Sequence, residues 1–398
     1  MARLGKEDYI EIYKKYNVNK TWSFSKVETY LQDKYEYYLK YVAKIKGDRD
    51  DSAYGSYGTL VHDTIEAFYN KQITKEEVLQ QYDNKSTELE MFGRKFDRTD
   101  EQKNEKIKLD YDVCVRHYLE RIERPNNKFV TELPVILDLT PKIILVGYID
   151  LLEYVENDLV ITDFKTSTIF SNADMKDKTA QLMLYAEAIR KRSNLENFEH
   201  IKIQYDFIKY VQVKYLQLNG KEKVRNIKRS ELGTSLSSAV KTFLVKEGIS
   251  QNEIEKYLTQ LEYTNSIDCL PKNIQDKFSI DKCIVSVDLS EDIIKEFKTN
   301  LINTITEIQE NENKYQLTLD EKIFWSEVDT KKSFYFANLS EYSMDLHKPY
   351  KEYLVKSGLL VDTLMKQEQD KLNEIKTTSQ VIDNKSSLDD KWKDMFGD

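Results

Sequence analysis

The sequence predicts an α/β protein, with strands gathered in its middle and helices on either side of them. Three observations predict it. Ile143–Leu152 and Asp158–Lys165 are rich in β-branched and aromatic residues and flank the turn-like Glu156, Asn157 and Asp158, so they read as an antiparallel hairpin. Phe129–Leu137 reads as a further strand ahead of it, and Ile201–Lys214 alternates apolar and polar residues. Around these runs the apolar spacing changes to that of helices, as in Val61, Ile65 and Phe68.

Taken in order, Gly58 and Thr59 read as the start of a helix running to Tyr69, on which His62 and Glu66 lie one turn apart. A lone histidine beside an apolar stripe serves equally as a packed structural residue. Residues 101–124 predict a long helix ended by Arg124 and Pro125. Glu132 sits in the strand that follows, a secondary acid ahead of the hairpin.

The hairpin carries the chemistry. Asp163 and Lys165 are two residues apart and share a face, whereas Phe164 turns to the core. Asp163, with Asp150 on the partner strand, offers oxygens to a hard cation such as Mg²⁺ or Mn²⁺, and Lys165 stands beside it to orient water or neutralise a phosphate. The same triplet also describes a plain surface ion pair. Downstream, Lys178–Ile189 predicts a helix on which Gln181 and Tyr185 project together one turn apart, though an ordinary amphipathic helix has the same pattern.

From Ile201 to Arg229 cations outnumber acids. Within this stretch Ile201–Lys214 is read as a strand with a wet polar face, and Lys221, Lys223, Arg225, Lys228 and Arg229 as a patch for nucleic-acid phosphates. Residues 231–286 mix helices with polar connections around Pro271 and read as an insertion, and Ser290 to Asn311 is another long helix. The last segment is polar. Its acidic residues around Trp392, Met395 and Phe396 suit a short peptide that docks on a replication or recombination protein, or a tail that packs on its own core.

The ordered set Gly58-x-x-x-His62, Gly147-x-x-Asp150, Asp163-x-Lys165 and Gln181-x-x-x-Tyr185 resembles the RecB-like branch of the PD-(D/E)XK nuclease superfamily. The resemblance extends to Ser23–Tyr41, similar to that family's N-terminal helix, and to Val287–Phe297, similar to its C-terminal strand and capped helix. It implies a restriction-endonuclease-like core, a mixed central sheet flanked by helices, with helical additions and a flexible C-terminal tail. The expected divisions are a nuclease core with N-terminal helices over 1–230, the insertion over 231–286, the C-terminal part of the nuclease domain over 287–355, and a tail over 356–398.

The resemblance further implies His62, Asp150 and Asp163 as metal ligands, the Phe164 carbonyl as a fourth donor, and Lys165 as the catalytic lysine. Gln181 and Tyr185 are then expected to contact the DNA backbone or order water at the metal. The implied activity is metal-dependent hydrolysis of linear duplex or single-stranded DNA by an exonuclease of repair, recombination or replication. A structure-specific or restriction-type endonuclease and a non-catalytic DNA-binding scaffold are the alternatives.

Many members of the branch hold an iron–sulfur cluster. Asp33 stands here where its first cysteine is expected, and Cys114, Cys269 and Cys283 are too scattered for a four-thiolate site, so no cluster is expected. Aromatic packing by Phe324, Trp325, Phe334, Tyr335 and Phe336 is expected to close the C-terminal piece instead.

Composition excludes several classes. The 398 residues are 40% hydrophobic, enough for one large core or two modest ones, and three unpatterned cysteines argue against a disulfide scaffold. The charged start lacks an apolar run, so neither a signal peptide nor a membrane span is expected and a cytoplasmic protein is. A net charge of −9 argues against a protein that coats nucleic acid and leaves room only for a local basic patch. No Gly-x-x-x-x-Gly-Lys-Ser/Thr motif is present for an ATP-driven motor.

Overall fold

A computed structural model describes residues 4–170, 172–326, 334–343 and 348–358. The N-terminal helices are α1 (Lys6–Tyr16), α2 (Phe24–Gln32), α3 (Lys34–Tyr37), α4 (Ala53–Tyr69), α5 (Glu77–Met91) and α6 (Glu101–Glu120). Strands β1 (Lys128–Thr140), β2 (Ile143–Val155) and β3 (Asp158–Lys165) follow, then α7 (Asn172–Arg192), β4 (Ile201–Leu216) and β5 (Glu222–Lys228). Next come α8 (Leu232–Lys246), α9 (Gln251–Thr264), α10 (Lys272–Gln275), β6 (Phe278–Val287), α11 (Glu291–Thr318) and α12 (Lys348–Lys356).

The six strands form one mixed sheet in the order β1-β2-β3-β4-β5, with β6 on the other edge of β4. The first three make an antiparallel meander; β4 then joins β3 in parallel, a pairing that requires a crossover, and α7 supplies it. Sixteen residues make β4 long enough for two neighbours on one edge: Ile201–Phe207 pairs with β3, and Tyr210–Leu216 with β5.

Helices cover both faces. The larger core packs Leu182, Tyr185 and Ile189 of α7 and Leu301 and Ile305 of α11 against Ile149, Ile161 and Tyr205 of the sheet. On the other side Val61, Ile65 and Phe68 of α4 and Val115 and Leu119 of α6 meet Leu151, Phe164 and Ile208. A third core, with Leu236, Val240 and Leu261, seats α8 and α9 on the extension of β4 and β5. This is the mixed α/β architecture the sequence predicts.

Several boundaries differ. The helix expected to start at Gly58 begins at Ala53, because Ala53 and Tyr57 are themselves buried and tertiary packing outweighs the two glycines. The helix expected to run to residue 124 ends at Glu120, and Arg124 turns back to donate to the carbonyls of Phe68 and Ile73. The stretch 231–286 is helical only through α10; its last part, Phe278–Val287, is strand β6 of the central sheet. The aromatic segment after Ser23 is broken at Asp33, which caps α3.

The C-terminal segment closes on α2–α4 through rings, as expected: Phe324 packs on Tyr38 at 5.3 Å and Phe334 on Tyr54 at 5.4 Å, while Trp325 stacks within the segment on Tyr353 of α12 at 5.1 Å. Polar contacts add to them. Arg49 donates to the carbonyls of Phe336 and Ala337, Ser52 to that of Asn338, and Arg98 to that of Ser340. Asp33 is buried there, accepting from the Tyr35 amide at 2.9 Å with the Tyr350 hydroxyl at 3.4 Å. The peptide around Trp392, Met395 and Phe396 lies outside the described residues.

Candidate metal centre

Four elements bring the candidate residues together. Beyond the last β2–β3 pair, Leu151 with Thr162, the next step in register sets Asp150 opposite Asp163. The Phe164 amide donates to Asp150 Oδ2 at 2.9 Å, which fixes that carboxylate at the end of the ladder. From α4, His62 reaches across with Nε2 2.9 Å from the Phe164 carbonyl oxygen and Nδ1 3.5 Å from Asp150 Oδ2. Lys165 Nζ lies 2.7 Å from Asp163 Oδ2 on the other side.

Sequence reasoning gave Glu132 too little weight. Donor atoms of His62, Glu132 and Asp150 all lie within 4.8 Å of one another. Two oxygens on one Mg²⁺ or Mn²⁺ are at most about 4.2 Å apart, so a small contraction closes this trio on an ion. Glu132 is buried, and it has φ +46°, a left-handed backbone that non-glycine residues rarely adopt in a strand. The signal available in the sequence was an acid in a strand directly preceding the hairpin. Asp163 is adjacent but outside the trio, engaged with Lys165.

The electrostatics match a site that holds positive charge. Burial and the neighbouring Asp163 push Asp150 up to about 6, against the pull of His62. Burial works to lower the Lys165 pKa, but Asp163 and Asp150 outweigh it and hold the lysine charged. One imidazole, several carboxylates and a carbonyl make a predominantly oxygen donor set, suited to Mg²⁺ or Mn²⁺.

Helix α7 covers this centre. Gln181 Nε2 donates to the Tyr185 hydroxyl at 2.8 Å, and burial pushes that phenol up to about 12. Tyr185 packs directly against Gly147: a Cβ there would overlap the phenol, only 2.5 Å from its Cε1. The glycine of Gly147-x-x-Asp150 is thus explained by close approach, not by a turn.

The basic patch is not assembled as expected. Arg229 is buried, its Nε donating to the Ile208 carbonyl at 2.7 Å and its NH1 2.9 Å from His117 Nδ1, so it belongs to the interior and not to a phosphate-binding surface. Lys228 is ion-paired with Asp110, and Arg225 donates to the Ser235 carbonyl at 3.0 Å. Only Lys221 and Lys223 of the five are fully exposed. They stand on the β4–β5 extension, away from the metal centre.

Opposed carboxylates just past the end of the β2–β3 ladder of a mixed sheet, beside a lysine and a histidine, make a site suited to a divalent metal ion. The sequence profile of the PD-(D/E)XK nuclease superfamily matches residues 21–283, and the protein belongs to that superfamily of metal-dependent nucleases. No curated protein matches the sequence. Among the described residues no helix is long and apolar enough to cross a membrane.

Proposed function

We propose that the protein is a RecB-like deoxyribonuclease, acting as an exonuclease in DNA repair, recombination or replication. The observation that carries this reading is the convergence of His62, Glu132 and Asp150 beside the Asp163–Lys165 pair. His62, Glu132, Asp150, Asp163 and the Phe164 carbonyl are the groups that would hold Mg²⁺ or Mn²⁺. When bound, such an ion lowers the pKa of a water ligand and offsets charge on the phosphate under attack.

The protein's own residues supply the rest. Asp150 is oriented by the Phe164 amide, so its oxygen meets the metal without losing side-chain freedom at that moment. Lys165, kept charged by Asp163, faces the developing negative charge of the phosphate or the attacking water. Gln181 and Tyr185 line the approach and hydrogen-bond either phosphate oxygens or ordered water.

Replacing Asp163 or Lys165 by Ala is expected to lower cleavage at least ~100-fold while leaving DNA affinity within a few-fold. An end-labelled linear duplex, a closed circle and a single strand, each incubated with Mg²⁺ or Mn²⁺, provide the assay. Loss of linear DNA alone identifies an exonuclease and nicking of circles an endonuclease. Absence of cleavage with either ion would sink the enzymatic reading in favour of a scaffold.

A further inference from the structure

Strands β1 and β2 both switch faces at the metal centre. Along β2, Leu145 and Ile149 pack in the core shared with α7, whereas Leu151, two residues on, packs in the core shared with α4, and Leu152 takes the α7 side. An unbroken strand keeps residues two apart on one face, so the alternation slips at Asp150. Along β1 it slips at Glu132. Leu133 and Val135 lie in the α7 core, but Thr131 faces α4, as does Phe129, whose ring meets that of Tyr69 at 5.8 Å. The register pairs Thr131 with Leu151 and Leu133 with Ile149, so Glu132 stands opposite Asp150, and these facing carboxylates are the residues at which the two strands change sides.

One side-chain bond fastens the slip to a helix. Asn70, the residue that ends α4, donates from Nδ2 to Thr131 Oγ1 at 2.9 Å and also reaches Glu66 at 3.4 Å. Thr131 is buried, and Asn70 is exposed at the helix end. His62 lies about two turns earlier on the same helix. The bond therefore ties the helix that carries one candidate ligand to the strand that carries another.

We propose that Asn70 and Thr131 are positioning residues for the metal centre: their hydrogen bond holds the face switch of β1, and with it the left-handed backbone that turns the Glu132 carboxylate toward His62 and Asp150. The inference rests on the metal-dependent reading above and adds what sets the geometry of its ligands. A non-glycine residue in the left-handed region is strained and persists only where its surroundings over-determine it. Glu132, at φ +46°, is held from both sides, by Leu133 anchored in one core and by Thr131 fixed on the opposite face. Without the Asn70 bond, residue 131 is free to turn toward the side that regular alternation favours, which relieves the strain and withdraws Glu132 from the ion. Partners that orient metal ligands in this way set affinity without touching the metal.

Isothermal titration calorimetry of Mn²⁺ into the full-length protein tests this, with thermal melts alongside. Asn70→Ala, and Thr131→Val, which has the same shape without the hydroxyl, should each weaken Mn²⁺ binding about tenfold, whereas Thr131→Ser keeps the hydroxyl and should stay within about threefold of wild type. A residue that acts through Glu132 loses its effect once that carboxylate is gone, so Asn70→Ala should cause no further loss in a Glu132→Gln background. Wild-type affinity in both Asn70→Ala and Thr131→Val overturns the proposal. So does an undiminished effect of Asn70→Ala beside Glu132→Gln, which marks a general loosening of the fold. Asn70 is at the surface, so its variant carries the test even where Thr131→Val unfolds the protein. Failure of the metal-dependent reading is a separate result, since it appears as wild-type protein that takes up no Mn²⁺.

Discussion

Gly147 and Tyr185 show how one residue choice holds the centre in shape. The strand must pass under the phenol without a Cβ, because the two would overlap. Gly147→Ala is therefore expected to destabilise the protein by about 1–3 kcal/mol, the usual cost of overpacking. Shortening the opposing ring as well, in a Gly147→Ala/Tyr185→Leu double variant, should recover part of the loss. Urea unfolding of the four proteins measures the coupling; simple additivity would show that the close approach is not what demands glycine. At this scale the sequence was legible for His62, Asp150, Asp163 and Lys165, whose spacing survives in the fold. It misplaced Arg229 in a phosphate-binding patch, because a basic residue at the end of a basic strand looks the same whether its guanidinium meets solvent or the Ile208 carbonyl.

Two elements depart from their expected parts, and each carries a prediction. The break between α2 and α3 is set by Asp33, which is buried and pushed up to about 7, chiefly by burial. Its folded pKa lies above the unfolded value near 3.8. Its contribution to stability is therefore fully present below about pH 4 and lost as pH rises through about 7. Asn in its place still accepts the Tyr35 amide but does not titrate. Between pH 5 and pH 8, Asp33→Asn should gain roughly 2–4 kcal/mol relative to wild type, read from denaturant unfolding of both proteins at each pH. A constant difference would refute the assignment. On the β4–β5 extension Lys221 and Lys223 are the exposed cations of the expected patch, so the double Ala variant should reduce the salt slope of duplex binding by about 2 if the hairpin contacts phosphates. An unchanged slope removes it from the DNA path. The expected insertion was legible as helical, but β6 within it was not, since Phe278–Val287 becomes a strand by pairing with the distant edge of β4.

For the molecule as a whole, closure depends on contacts far apart in sequence. Arg49 and Arg98 bind the carbonyls of Phe336, Ala337 and Ser340, while Ser340 donates to the buried Glu36 at 2.7 Å. Arg49→Ala removes two charge-assisted bonds and is expected to cost about 2–3 kcal/mol. It should also make the segment from Phe334 to Ser340 more open to limited proteolysis. Wild-type proteolytic fragments and an unchanged melting temperature would show that the rings alone close the segment. The net charge of −9 bears on the same scale, because on so acidic a surface only local clusters of cations attract the phosphates of a nucleic acid.

By itself the sequence determined the α/β class, the acidic hairpin with its lysine, and the helices that bring His62, Gln181 and Tyr185, since strand alternation and helical periodicity are local properties of the polypeptide. Tertiary structure alone decided that Glu132 joins His62 and Asp150 and that Arg229 is interior. Those outcomes depend on which distant surfaces exclude water from one another. Burial of that kind is set by the packing of the whole molecule, and no window of neighbouring residues contains it.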